Sequence, residues 1–207
     1  MSLRIAIVKD GGSMTADRPV AQVVGFAGSP RIGANSETLL DEVLRGAEEA
    51  GAAVEKFRLA KMQVGPCLAC DACNPSGLCI QKDDMARLVD RMLESDLWVL
   101  ATPVYWWGPS AQLKLFIDRW YGPWHNADIQ RRLVGKRAVL VAAMGDTHKE
   151  TARHVVGMLS DAFRYMHMDL IATLLAPDVN GRADVAGSQT LLSQAYEIGR
   201  SAVSAAT

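Results

Sequence analysis

The chain has 207 residues, 49% apolar and 22% charged, with 22 basic against 23 acidic side chains and a formal net charge of −1. That size and apolar content suit one domain with a substantial core, and the near-neutral balance leaves no electrostatic footprint for nucleic acid or an acidic membrane surface. No apolar stretch reaches the roughly 18–20 residues that span a bilayer, and the opening MSLRIAIVKDGGS has too short an apolar run for a secretory signal, so a cytoplasmic protein is the expectation.

Residues 1–20 stand apart as an N-terminal extension, with RIAIV as a candidate edge strand and KDGGSMTADRP as a loose loop. Residues 21–207 read as one domain in which apolar β-rich runs alternate with helical periods. AQVVGFAG (21–28) is a buried strand ending at glycine. After it, Leu39, Leu40, Val43, Leu44 and Ala47 share one helix face, with Asn35 as N-cap, Glu37 in the positive first turn and Gly51 at the stop.

AVEKFRL (53–59) is a second, weaker strand. A helix follows through Met85, Leu88, Val89, Met92 and Leu93, capped by Asp83 or Asp84. DLWVLATP is a third strand, SAQLKLFIDRWY a helix, and RAVLVAAMG a fourth strand. Thr147 and Glu150 have capping-box spacing ahead of TARHVVGMLSDAFRYM. MDLIATLLAP is the fifth strand and ADVAGSQTLLSQAYEIGRSAV the last helix. Five strands separated by helices imply right-handed βαβ crossovers and an α/β fold with a parallel sheet covered on both faces.

Ligands of such sheets bind beyond the carboxyl ends of the strands, where strand order reverses, which directs attention to three loops. In GSPRIGANS, Gly28 and Gly33 permit close backbone turns, Ser29, Asn35 and Ser36 offer short polar groups, and Arg31 adds a fixed charge beside a helix N-terminus. That set reads either as a phosphate cradle or as an ordinary capped helix start after a strand, and it is without the Lys-Ser/Thr of a P-loop or the GxGxxG of a dinucleotide fingerprint. In TPVYWWGPS, Pro103 stiffens a turn carrying three adjacent aromatics, a surface suited to a flat conjugated ring or to core and dimer packing. In MGDTHKE, Gly145 allows close approach and Asp146 is a small polar lining group. The four histidines are scattered without metal-ligand spacing.

Together, GSPRIGANSETL and ATPVYWWGPSAQLKLFIDR resemble the flavodoxin-like NADPH-dependent FMN reductase family over roughly residues 21–201. The resemblance implies a flavodoxin-like three-layer sandwich with strand order 2-1-3-4-5. It implies that Ser29, Arg31, Asn35 and Ser36 hold the FMN phosphate, that Pro103, Val104, Tyr105 and Trp106 line the ring, and that Gly145 and Asp146 border its other side. It further implies hydride from NAD(P)H and a small electron acceptor, with no catalytic side chain because the cofactor carries the chemistry. A homodimer or homotetramer is also implied, with Trp106, Trp107, Trp120 and Trp124 as candidate exposed contacts. Lys114, Asp118 and Arg119 match the family pattern too, and read better as helix-surface ion pairs or dimer contacts than as catalytic groups.

All four cysteines fall in CLACDACNPSGLC, as Cys67, Cys70, Cys73 and Cys79. The spacing suits four thiolates at the corners of a [4Fe–4S] cluster better than the paired knuckles of structural zinc, and free thiols or reversible disulfides also satisfy it. The loop is similar to the cysteine motif of the iron–sulfur flavoproteins, a branch in which the cluster exchanges single electrons with FMN. It is equally similar to loops of plain flavoproteins in the wider family. The expectations are therefore an NAD(P)H-dependent FMN reductase, an iron–sulfur flavoprotein serving a ferredoxin, or a non-enzymatic module on the same frame.

Overall fold

The computed structural model describes residues 20–74 and 76–204. The expected N-terminal extension, apart from Val20, lies outside the described residues. Five parallel strands form one sheet in the order β2-β1-β3-β4-β5: β1 (Gln22–Ala27), β2 (Ala53–Arg58), β3 (Leu97–Pro103), β4 (Arg137–Ala143) and β5 (Asp169–Ala176). The helices are α1 (Asn35–Glu49), α2 (Met85–Glu94), α3 (Ala111–Asp118), the single turn α4 (Tyr121–Trp124), α5 (Ala127–Leu133), α6 (Arg153–Tyr165) and α7 (Gln189–Ser204). This is the flavodoxin-like arrangement that the family resemblance implied.

Alternation along each central strand divides the core into two layers. Val23 and Ala27 of β1, Val99 and Ala101 of β3, and Val139 and Val141 of β4 pack under α1 and α7. Val24 and Phe26, Trp98 and Leu100, and Ala138 and Leu140 point the other way, against α2, α3 and α6. The chain steps from β1 to β2 in one direction and returns past β1 to β3 in the other. Right-handed crossovers therefore put α1 on one face and α2 on the opposite one, and a crevice opens between the carboxyl ends of β1 and β3.

Several local expectations change in the fold. Ala34, not Asn35, is the N-cap of α1, and no side chain caps it, because the Asn35 carboxamide is engaged elsewhere. The capping box at Thr147 and Glu150 does not form. Asp146 accepts the Thr151 hydroxyl at 2.6 Å and the His148 N–H at 2.9 Å, and α6 begins only at Arg153. The helix expected through Trp120 and Tyr121 stops at Asp118, since Pro123 has no N–H to continue the ladder.

Helix α5 was not anticipated, although Asn126 signals it by accepting the N–H groups of Asp128 and Ile129 at 3.0 Å each. Trp120, expected on the surface, is 6% exposed. It packs edge-on to Phe116 at 5.5 Å and tilted against Trp98 at 5.8 Å.

Helices α1 and α7 touch backbone to backbone through two glycines. A Cβ on Gly199 would lie 1.9 Å from the Val43 carbonyl oxygen, and one on Gly46 would lie 2.1 Å from that of Tyr196. Neither atom can rotate away, so the helices must separate to admit a methyl group. Gly199→Ala is expected to lower urea stability by ~2–3 kcal/mol, whereas Gly157→Ala, with nothing within 4 Å of an added Cβ, leaves stability unchanged or raises it.

Candidate functional site

The loop after β1 is drawn tightly to β3 and α3. The Gly28 N–H donates to the Ala101 carbonyl at 2.7 Å, and the Ser110 hydroxyl donates to the Gly28 carbonyl. A Cβ on Gly28 would meet Leu113 Cβ at 2.8 Å and the Ala101 oxygen at 2.9 Å, so only glycine permits this approach. Ser110 also caps α3 by accepting the Leu113 N–H at 3.2 Å.

Further along the loop, the Ser29 hydroxyl accepts the Arg31 N–H at 3.0 Å. Gly33, at φ +64°, donates to Glu37 at 2.8 Å. Burial opposes ionisation of Glu37, but the Gly33 N–H and the Arg58 and Lys56 side chains outweigh it and hold the carboxyl below its ordinary pKa. Glu37 is thus a neutralised brace beneath the loop, facing Arg58 and Lys56 rather than the crevice.

The first bond of the α1 ladder runs from Thr38 N–H to the Ala34 carbonyl at 2.9 Å. The N–H groups of Asn35, Ser36 and Glu37 precede that ladder at the positive end of the helix dipole. Arg31 is exposed and has no carboxylate partner among the described residues.

A cleft of about 190 Å³ gathers Ser29, Arg31, Asn35 and Ser36 from this loop with Pro103, Val104 and Tyr105 from the β3 loop and Gly145 from the β4 loop. Two expected lining residues fall outside it. Trp106 is 91% exposed, and Asp146 is turned to Thr151 and His148, which hold its carboxyl down to about 2. The Asn35 side chain does not present itself to the cleft as a free donor pair. Its Nδ2 donates to the Gly181 carbonyl at 2.7 Å and its Oδ1 accepts the Val185 N–H at 3.1 Å.

The cleft also contains Val179, Asn180, Gly181 and Arg182 from the loop after β5, none of which the sequence had singled out. A Cβ on Gly145 would lie 2.6 Å from Asn180 Oδ1, so these two loops meet closely. The free N–H groups, the hydroxyls of Ser29 and Ser36, the unpaired guanidinium and the glycine-permitted approaches fit a phosphorylated, flat ligand.

Beside the cleft, Tyr105 and Gly108 exchange backbone bonds of 2.9 Å each across a two-residue turn. The turn residues Trp106 and Trp107 have φ +48° and +61°, a mirror-image turn that asparagine and glycine ordinarily occupy. Holding two tryptophans there costs ~1–3 kcal/mol each, and it displays both rings to solvent.

The cysteine loop runs between β2 and α2. Cys67 and Cys70 are exposed, Cys79 is half-buried and Cys73 is buried against Gly122. Burial pushes the Cys73 thiol up, and charge on Cys79, Cys67 and Cys70 pushes it the same way, so the four sulfurs share one electrostatic neighbourhood. Ala69 and Asp71 are held at φ +49° and +55°. Among the described residues, however, no three His, Cys, Asp or Glu side chains converge to hold a metal ion. The donor chemistry suits a cluster, whereas the loop as folded is not a closed cage.

The fold has known counterparts. The model of the family described as NADPH-dependent FMN reductase matches residues 21–176. The chain belongs to that family. An iron–sulfur flavoprotein of Archaeoglobus fulgidus is 36% identical over 124 residues, 60% of this chain and 56% of that protein. Another, from Methanocaldococcus jannaschii, is 39% identical over 98 residues, 47% of this chain and 51% of that protein. This chain spans about half the length of these relatives.

A Bacillus subtilis protein provisionally named as an NAD(P)H-dependent FMN-containing oxidoreductase is 26% identical over 83% of this chain and 92% of its own length. Among solved structures, the fold is shared with an NAD(P)H:quinone oxidoreductase from Methanothermobacter marburgensis, at TM-score 0.68 and 19% identity over 88% of this chain and 97% of that one. The strand order of this chain is that of the flavodoxin-like fold, and among the described residues no helix is long and apolar enough to cross a membrane.

One feature of the pattern shared with FMN reductases takes a different role from the surface pairing expected of it. Lys114 and Asp118 do pair on the helix surface at 2.6 Å, but Arg119 is 3% exposed. It grips Asp83 through two bonds of 2.6 and 3.1 Å and donates to the Gly65 carbonyl at 3.0 Å. Both ends of the cysteine loop are thereby tied to α3. Burial works against the Asp83 carboxylate, but Arg119 and the N–H groups of Gly65 and Met85 outweigh it and keep its pKa below the ordinary value.

Arg119→Ala, which leaves Asp83 without its counter-charge, is expected to cost ~3–5 kcal/mol at pH 7 by urea unfolding. Because the folded-state pKa of Asp83 is depressed, its contribution is complete above about pH 5 and disappears as acid carries it through that pKa. The gap between wild type and Asp83→Asn should close over the same range.

Proposed function

We propose that the protein is an FMN-dependent oxidoreductase that accepts hydride from NADH or NADPH and delivers electrons to a small acceptor such as a quinone or a free flavin. The observation that carries this reading is the convergence of phosphate-type donors with Pro103, Val104 and Tyr105 on one cleft at the switch point of the sheet. Ser29, Ser36, the Arg31 guanidinium and the first N–H groups of α1 would hold the FMN phosphate. Asn35 contributes its backbone N–H and keeps the β5 loop in place. Pro103, Val104 and Tyr105 would line the ring, and Gly145 keeps the opposite border clear.

FMN, when bound, supplies both hydride and single-electron chemistry, so no side-chain acid, base or nucleophile is assigned. The protein's work is to anchor, orient and exclude water. The exposed apolar side chains around the cleft and the cysteine loop, including Trp106, Trp107, Leu68 and Leu78, support a homodimer or homotetramer that covers them. The clustered free thiols support a reducing, cytoplasmic setting.

A second reading is favoured by one specific observation, the four cysteines of a single loop in a chain related to iron–sulfur flavoproteins. Here Cys67, Cys70, Cys73 and Cys79 would hold a [4Fe–4S] cluster after the loop closes on it, and a ferredoxin would be the partner. Iron, sulfide and FMN per chain, measured on protein purified without oxygen, separate the two. FMN without iron, together with rapid bleaching of the flavin by NADH or NADPH, supports the reductase. About four irons and four sulfides per FMN, with slow bleaching, support the electron carrier. Absence of FMN would overturn both and leave a non-enzymatic module.

The phosphate assignment has its own test. Replacing Arg31 and Ser36 together by alanine is expected to weaken FMN binding by ~3–5 kcal/mol in a fluorescence titration, at roughly 1.5–3 kcal/mol for each charge-assisted contact. An unchanged affinity would sink it.

A further inference from the structure

The loop after β5 brings a second guanidinium to the cleft, and nothing in the phosphate loop itself required one. Arg182 lines the same cleft as Arg31, and its Nη2 donates to the Ile32 carbonyl at 2.8 Å. That bond ties the side chain to the phosphate loop while leaving its other N–H donors uncommitted. The surrounding carboxylates are engaged elsewhere. Asp184 accepts the Gly181 N–H at 2.5 Å, Asp178 accepts Asn180 Nδ2 at 3.3 Å, and Glu37 is neutralised by Lys56 and Arg58. Neither Arg31 nor Arg182 has a carboxylate partner among the described residues.

The charge balance gives this arrangement a purpose. A phosphate monoester carries about −1.5 to −2 charges near neutral pH, so one guanidinium and a helix end worth roughly half a charge match only the lower end of that range and fall short of the full dianion. A second guanidinium carries the site past that shortfall to a net positive charge, which favours the dianion over the monoanion or a neutral group. Arginine's planar fork also holds a phosphate through two donors where lysine offers a point charge.

We propose that Arg182 is a specificity-determining residue for FMN, a second phosphate-binding guanidinium carried by the β5 loop and held ready by the Ile32 carbonyl. The inference rests on the reading of this cleft as the FMN site. It assigns a role to a loop 150 positions away from its partner in sequence. The Asn35 bonds to Gly181 and Val185 clasp that loop to the start of α1, which fixes where Arg182 stands. The dianion of the NADPH 2′-phosphate has the same chemistry. The tether to the loop bearing Ser29 and Arg31 selects FMN.

The test is to titrate FMN and riboflavin, which lacks the phosphate, into the 207-residue chain and its Arg182→Gln and Arg182→Lys variants. Glutamine retains a donor for the Ile32 carbonyl and removes the charge. Arg182→Gln should lose about 10- to 100-fold in FMN affinity while riboflavin stays within about twofold, and Arg182→Lys should recover part of the loss. The FMN loss should shrink as salt rises. Equal losses for FMN and riboflavin would reduce Arg182 to a tether and overturn the proposal. So would unchanged FMN affinity, whether alone or with a collapse in the preference for NADPH over NADH. If wild type bound riboflavin and FMN equally, the phosphate site itself would fail. If it bound neither, the FMN reading of the cleft would fail, and this assignment with it.

Discussion

The site depends on how closely three strands' worth of backbone can approach at one point. Where β1 and β3 part, Gly28 bonds to Ala101 and receives the Ser110 hydroxyl, with the body of Leu113 pressed behind it. The reversal of strand order makes an opening there in any doubly wound sheet. What makes the opening a usable cleft is that the loop crossing it is pinned at both ends, by Gly28 to the sheet and by Glu37 to β2 through Lys56 and Arg58. A free helix N-terminus can then face the cleft without a side chain of its own to cap it.

Backbone strain is concentrated in the cysteine loop and in the aromatic turn beside the cleft. Ala69 and Asp71 in the cysteine loop and Trp106 and Trp107 in the aromatic turn account for four of the six left-handed residues that are not glycine among those described. The core has no such positions, and its alternating strands bury large side chains on both faces without compromise. Conformations of this cost persist where the surroundings over-determine them. For the cysteine loop the determinant is visible in the buried Arg119–Asp83 pair, which anchors both loop ends to α3. The thiols therefore sit in a strained loop on a rigid mount.

Legibility from the sequence follows the range of the interactions. All five strands and the longer helices announced themselves because periodicity is written into neighbouring residues. The polar glycine-bearing loop after β1 and the aromatic turn stood out for the same reason, each being a short contiguous run placed just after a strand. Asn35 shows where this breaks down. As a residue before a helix it reads as an N-cap, yet its carboxamide is taken by Gly181 and Val185, far along the chain. Arg119 reads as a surface cation and is instead buried under the cysteine loop. Trp120 reads as a contact residue and fills the core between Trp98 and Phe116.

The sequence by itself determined the order of the strands and longer helices, the two-sided sheet, the two motifs that mark the family, and the confinement of every cysteine to one loop. These rest on hydrophobic period, glycine and proline placement, and residue type, all local properties. Only the tertiary structure decided which loops share a wall, that the β5 loop joins the cleft, and that Arg182 stands over the same ground as Arg31. It also decided that Gly46 and Gly199 are where α1 and α7 meet. The reason is physical. Such partnerships are set by how two distant stretches of backbone dock once the core has packed, and the exposed arginine or inconspicuous helical glycine that results carries no mark in its neighbours.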